Sequence, residues 1–122
     1  MAVEYPNVVH ASARVVYDSD AETISLVASQ GFSDVALSGV GHMLLTLTDE
    51  ISQDERVVLV TPKDLVIMYD DSASLSDINK PRQVRIKSET AAGDPSSSNF
   101  DIVVFRLPSE VEPITKAAPT PP

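Results

Sequence analysis

Two histidines, one acidic run, one glycine pair and one basic cluster are the places where this chain could do chemistry. His10 and His42 are its only histidines. Either could act as a general base, and together they could hold a metal. No spacing supplies a third ligand, no activated serine motif accompanies them, and an active site needs nucleophile, base and orienter together. Asp18-Ser-Asp-Ala-Glu22 places carboxylates alternately, as the start of a calcium loop does. The sixth and twelfth positions of such a loop hold Thr23 and Ser29 instead of glycine and glutamate, so the run reads as a solvated turn. Gly39-Val-Gly41 lacks the third glycine and the Lys-Ser/Thr of a phosphate loop and reads as turn chemistry. Lys80, Arg82, Arg85 and Lys87 could dock on an acidic surface or a phosphate; the plainer expectation is a solvated edge strand guarded by charge. Cysteine is absent, which excludes disulfides, thiolate metal sites and cysteine nucleophiles. These residues predict no enzyme, no cofactor and no metal.

The elements around them follow period two. The run from Phe32 to Pro62 organises the chain: a strand over 32–37, a turn at Ser38-Gly39-Val40-Gly41, a strand over 42–48, an acidic loop, and a strand over 56–61. In 42–48, Met43, Leu45 and Leu47 alternate with His42, Leu44, Thr46 and Thr48, which marks a strand with one face buried. Upstream, Val9, Ala11, Ala13, Val15 and Tyr17 alternate with His10, Ser12 and Arg14, and Ile24, Leu26 and Ala28 mark a second short strand. Gln30-Gly31 predicts a turn or bulge. The stretch 48–55 opens with a Ser/Thr-plus-acid pattern that suits one helical turn at most. Downstream, the spacing predicts strands over 65–69, 82–87 and 100–107, separated by polar loops at 70–81 and 88–99. About eight short strands and no amphipathic helix predict an all-β chain, an antiparallel β-sandwich or jelly roll with extended termini. The expected organisation is an N-terminal arm over 1–7, a β-sandwich domain over 8–107, and an extended tail over 108–122 that holds five prolines.

Bulk properties narrow the partners. The chain has 122 residues, 43% of them hydrophobic, enough for one packed domain. Its formal net charge is −9, which disfavours phosphate neutralisation and hence nucleic-acid binding. No apolar run approaches bilayer length and no basic-plus-apolar leader opens the chain, so the expectation is a soluble protein with no membrane partner. Val57-Val-Leu-Val60 and Leu65-Val-Ile-Met68 are apolar on both strand faces. One reading is plain core; the other puts Val58, Val60, Val66 and Met68 at a subunit interface, since obligate interfaces resemble a core cut in half.

The run Phe32-x-x-Val35-x-Leu37-x-Gly39-x-Gly41-x-Met43-x-Leu45-x-Leu47, followed by Val57-x-Leu59 and a closing Asp101-Ile-Val-Val-Phe105, resembles the small β domains of tailed-bacteriophage virions. Those domains serve as capsid-decoration, head-fibre and tail-fibre tip modules. The similarity covers about a third of the chain, and Met43 stands where those domains commonly carry an aromatic. It implies a jelly-roll homotrimer, made in the host cytoplasm and located in the virion on the capsid surface, with the major capsid protein as partner. Contact with the shell would fall to the two ends, through Val3, Tyr5 and Pro6 of the arm and Pro108, Pro113 and Ile114 of the tail, laid down by strand addition. The absence of a long coiled-coil attachment segment favours a short decoration protein. The alternative is a receptor-binding tail-fibre tip that reads a host glycan or protein through the loops at 70–80 and 88–99. A small β-barrel hydrolase or isomerase is disfavoured by the lack of a coherent catalytic set.

Overall fold

The computed structural model describes residues 8–108 and 114–120. Among the described residues eight strands form in chain order: β1 Val9–Asp18, β2 Thr23–Gln30, β3 Phe32–Gly39, β4 His42–Leu47, β5 Arg56–Pro62, β6 Ile67–Asp70, β7 Gln83–Glu89 and β8 Phe100–Arg106. They pair antiparallel into two four-stranded sheets, the first in the order β2-β1-β8-β5 and the second in the order β3-β4-β7-β6. The two sheets face each other as a β-sandwich. Rolling a long hairpin into a jelly roll would pair β1 with β8, β2 with β7, β3 with β6 and β4 with β5. Only the first of those pairings is present. Here the chain lays hairpins β1–β2 and β3–β4 on opposite sheets, crosses back for β5, adds hairpin β6–β7 to the second sheet, and closes with β8 in the first.

The core is built by alternation. Ala11, Ala13 and Val15 of β1 and Phe100, Ile102 and Val104 of β8 meet Met43, Leu45 and Leu47 of β4 and Val84 and Ile86 of β7, with Phe32 and Ile51 closing the ends. The four strands that supply most of this core are the inner strands of their sheets, so each is flanked on both edges and buried on one face.

The lateral strands are half-covered. Val58 and Val60 of β5 and Met68 of β6 turn inward and pack against the core. Their neighbours Val57, Leu59, Ile67 and Tyr69 are exposed. Val58, Val60 and Met68, the residues of the subunit-interface alternative, thus turn their side chains toward the core of their own sandwich, and the outward positions beside them are held by other residues. Val66, the fourth residue of that set, is half-buried in the connection ahead of β6. The expected strand over 65–69 begins only at Ile67, and Leu65 stands fully in solvent. The basic cluster also differs from expectation. β7 lies between β4 and β6, so Arg85 and Lys87 sit on an inner strand, not on an edge.

Short polar segments are fixed by local bonds. The 48–55 loop ends in a single 3-10 turn, Gln53–Glu55, whose N-cap Ser52 accepts from the Asp54 N–H. The Asp18 carboxylate accepts from the backbone N–H groups of Asp20 and Ala21, which shapes the β1–β2 turn. β2 carries an irregularity where Ala28 takes a positive φ of 51° and the register with β1 slips between Ser12 and Arg14.

The sandwich has two poles. One gathers the β1–β2, β3–β4, β5–β6 and β7–β8 connections. The other gathers the β2–β3, β4–β5 and β6–β7 connections together with both places where the chain leaves the domain. At that second pole Arg106 N–H donates to the Val8 carbonyl at 2.6 Å and Leu107 N–H donates to the Glu55 carbonyl at 2.8 Å, so the N-terminal and C-terminal exits lie side by side.

Candidate functional site

Three polar groupings stand out on this scaffold. The first surrounds the start of β5. Arg56 is 7% exposed, and its guanidinium donates to the Gln83 carbonyl at 2.9 Å and to the Ile51 carbonyl at 3.4 Å. It thereby ties the first sheet to β7 and to the β4–β5 loop. Burial lowers the affinity of this guanidinium for its proton, and the Asp70 carboxylate opposes that effect; an arginine remains charged through such opposing influences. Asp70 also accepts from both the hydroxyl and the N–H of Ser72. The Ser72 hydroxyl in turn accepts from the Arg85 N–H at 3.0 Å, and the Ser72 carbonyl accepts from the Gln53 side chain at 2.8 Å. Both the proton and a lone pair of Ser72 are committed, and no histidine is bonded to it. It is a joint between loops and not an activated nucleophile.

The histidines lie in separate sheets. His10 of β1 bonds the Asp49 carbonyl through Nε2 at 2.9 Å, which makes Nε2 the donor, and Nδ1 accepts from Arg106 at 3.2 Å. His42 of β4 accepts from Arg85 through Nδ1 at 3.2 Å. Each ring faces an arginine, an arrangement that suits neither a general base with a substrate proton nor a cation site. Among the described residues no group of three His, Asp or Glu side chains comes together as metal ligands.

The second grouping is on the outer face of the first sheet. Asp101 of β8 bonds Arg14 at 2.9 Å and Lys63 at 2.7 Å. These two hydrogen bonds, Arg14 first, hold the carboxyl at about 2 against an ordinary 3.8. A carboxyl depressed in the folded state adds stability that is complete above 3.8 and is lost as pH falls through about 2. Water screens these exposed partners, so the contribution is small. Asp101→Asn is expected to flatten the acid limb of the stability curve in that window, and to leave the neutral-pH melting temperature almost unchanged at high salt. Thermal melts from pH 2 to 7 check this.

The third grouping is the 88–99 loop, which the sequence presents as a candidate recognition surface. The structure pins its last four residues, 96–99, and leaves 91–95 exposed. Ser96 N–H donates to the Ser88 carbonyl at 3.1 Å, and the Ser97 hydroxyl accepts from Gly41 N–H at 2.9 Å. The Ser98 hydroxyl bonds Asp64, and the Asn99 side chain accepts from Tyr17 N–H at 2.6 Å. The serine triplet thus fastens the β7–β8 loop to the β3–β4 turn and the β5–β6 connection, and Asn99 adds the end of β1. The 70–80 loop lies at the opposite pole, where Arg82 pairs with Glu50 at 2.8 Å and Ile51 N–H donates to the Pro81 carbonyl at 2.9 Å. The two loops of the receptor-binding alternative do not form one surface.

The basic cluster is dispersed among acids: Lys80 pairs with Asp77 at 3.2 Å and Arg85 approaches Asp71 at 3.8 Å. Among the described residues, one surface hollow lies between the 3-10 turn and Asp77, Lys80 and Pro81. Another lies on the outer face of the first sheet beside Arg14 and Asp101. Neither collects a nucleophile with a base. Of the expected shell-contact residues, Pro108 and Ile114 are exposed, while Val3, Tyr5, Pro6 and Pro113 lie outside the described residues.

Sequence reasoning missed the role of Arg56, which looked like the polar start of a strand. Its only signal was a single charge beside five residues, 57–61, that carry none.

No protein-family model, curated protein or solved structure matches the chain.

Proposed function

We propose that this chain is a non-enzymatic virion structural protein, a decoration module that attaches to the outer surface of a bacteriophage capsid through the major capsid protein. The observation that carries the reading is the side-by-side exit of both chain ends from one pole, fixed by the Arg106–Val8 and Leu107–Glu55 bonds. An arm over 1–7 and a tail over 108–122 can then reach one surface together, while the loops at the opposite pole face away from it. Residues 114–120 are exposed and form no regular structure, and a proline-rich extended segment keeps its backbone groups available to a neighbouring strand or groove. Many weak attachments on a repeating shell act together through effective concentration. Ser72, Ser97, Ser98, His10 and His42 are engaged in holding the fold, which supports the same reading.

The test is co-sedimentation with capsids assembled from the major capsid protein encoded in the same genome. The full chain is expected to pellet with capsids to a saturating copy number, and removal of 108–122 to reduce that occupancy at least tenfold. Binding to host cells with no binding to capsids would contradict the reading and favour a receptor-binding tip.

A further inference from the structure

A sheet edge exposes a row of unpaired backbone groups, and most natural edges are blunted. Three of the four lateral strands here follow that rule. β2 carries its irregularity at Ala28, β3 has register shifts at both ends and an aspartate at position 34, and β6 is four residues long. β5 is guarded only at its ends, by the inward-pointing Arg56 and by Pro62. Between them it runs in unbroken register with β8 and has no charge from Val57 to Thr61.

The direction of its backbone groups follows from its ends. The Glu55 carbonyl accepts from Leu107 N–H, and Lys63 N–H donates to the Asn99 carbonyl, so positions 55 and 63 bond toward β8. Strand alternation then directs 57, 59 and 61 toward β8 as well, and directs Arg56, Val58, Val60 and Pro62 to the open side. Pro62, which has no N–H to offer, occupies an open-side position, as an edge proline must.

We infer that β5 pairs antiparallel with β5 of a second copy of this chain about a twofold axis at Leu59. In that register Val58 of one copy lies opposite Val60 of the other, and each such pair exchanges both N–H···O=C bonds. Leu59 meets its own equivalent on the outer face. Beyond the apolar segment, Glu55 of one copy faces Lys63 of the other. The edge is thus self-complementary in apolarity and in charge, the requirement for a closed twofold contact. Two chains of charge −9 repel, and this segment is a place where they can meet without opposing carboxylates. The exposed Val57 and Leu59 of β5 lie on the outer face of the first sheet, where in this register they extend onto the same face of the second copy. The inference stands apart from the capsid reading. It calls for a dimer where the resemblance implies a trimer.

Light scattering on the purified full chain decides it. The expected mass is twice that of the 13.1 kDa chain. Leu59→Lys puts like charges opposite each other at the axis; Leu59 is 53% exposed, so the fold tolerates the change. The variant is expected to halve the mass with an unchanged melting temperature. Glu55→Lys, which sets a cation opposite Lys63 of the second copy, is expected to weaken the dimer. A wild-type monomer, a wild-type trimer, or a Leu59→Lys variant that stays dimeric would each overturn the inference.

Discussion

Gly41→Ala is expected to destabilise the domain by about 3 kcal/mol or more, enough to leave a large unfolded fraction in a protein of ordinary stability. Two independent effects add at this position. Gly41 closes the β3–β4 turn with φ of +73°, a region where a side chain costs about 1–2 kcal/mol. Its Cα also lies under the 88–99 loop: an added Cβ would collide with the Ser88 carbonyl oxygen and come within 2.9 Å of the Ser96 nitrogen. Both obstacles are backbone, so the loop itself must move, and its movement breaks the bonds from Gly41 to Ser97 and from Ser96 to Ser88. Gly93 provides the control. It has a similar φ of +88°, but an added Cβ there meets nothing within 4 Å. Gly93→Ala is expected to cost only the conformational share, about 1–2 kcal/mol. Chemical denaturation of the two variants separates strain from collision. Equal losses at the two sites would show that the loop does not pack on the turn.

Arg56→Ala is expected to cost about 2–4 kcal/mol, the second large effect. The substitution leaves the carbonyls of Ile51 and Gln83 without their charged donor in a buried site, and a lost hydrogen bond to a charged group is worth about 1.5–3 kcal/mol. It also removes the cation that faces Asp70. Arg56→Lys keeps the charge but cannot direct two N–H groups along the arginine fork, so it is expected to recover less than half of the loss. Denaturant midpoints for the two variants check both statements. Full rescue by lysine would show that charge alone matters at this joint.

The sequence made three inner strands legible because each has one buried face: β1, β4 and β7 show period-two alternation, and their inward residues are in the core; β8, apolar at successive positions from Ile102 to Phe105, was legible as a strand but not in orientation. β5 and β6 were legible as strands but not in orientation. Val57-Val-Leu-Val60 is apolar at successive positions, and alternation says nothing about which face turns inward when both are alike. The structure decides it through pairing with β8, which places Val58 and Val60 inside and Val57 and Leu59 outside. The strand order was beyond local pattern altogether, because it depends on contacts between residues as distant as Val9 and Phe105. The polar joints were hidden for the same reason. Nothing in Ser96-Ser-Ser98 announces bonds to Gly41 and Asp64, and a serine run in a long loop resembles a flexible linker until its partners are known. Glycine gave the clearest local signal: Gly31 and Gly41 both take positive φ at chain reversals, and a Cβ at Gly31 would approach the His10 carbonyl oxygen to 2.6 Å.

These features describe a small sandwich whose polar residues hold loops in place and whose two exits lie side by side, and the work proposed for it is attachment. Imaging capsids decorated with the full chain by cryo-electron microscopy tests that account most directly. The account predicts density for the sandwich standing on the shell with the Val8 and Leu107 pole inward and the 88–99 loop outward. Density with the 88–99 loop against the shell, or capsids that carry no added density at saturating protein, would contradict it.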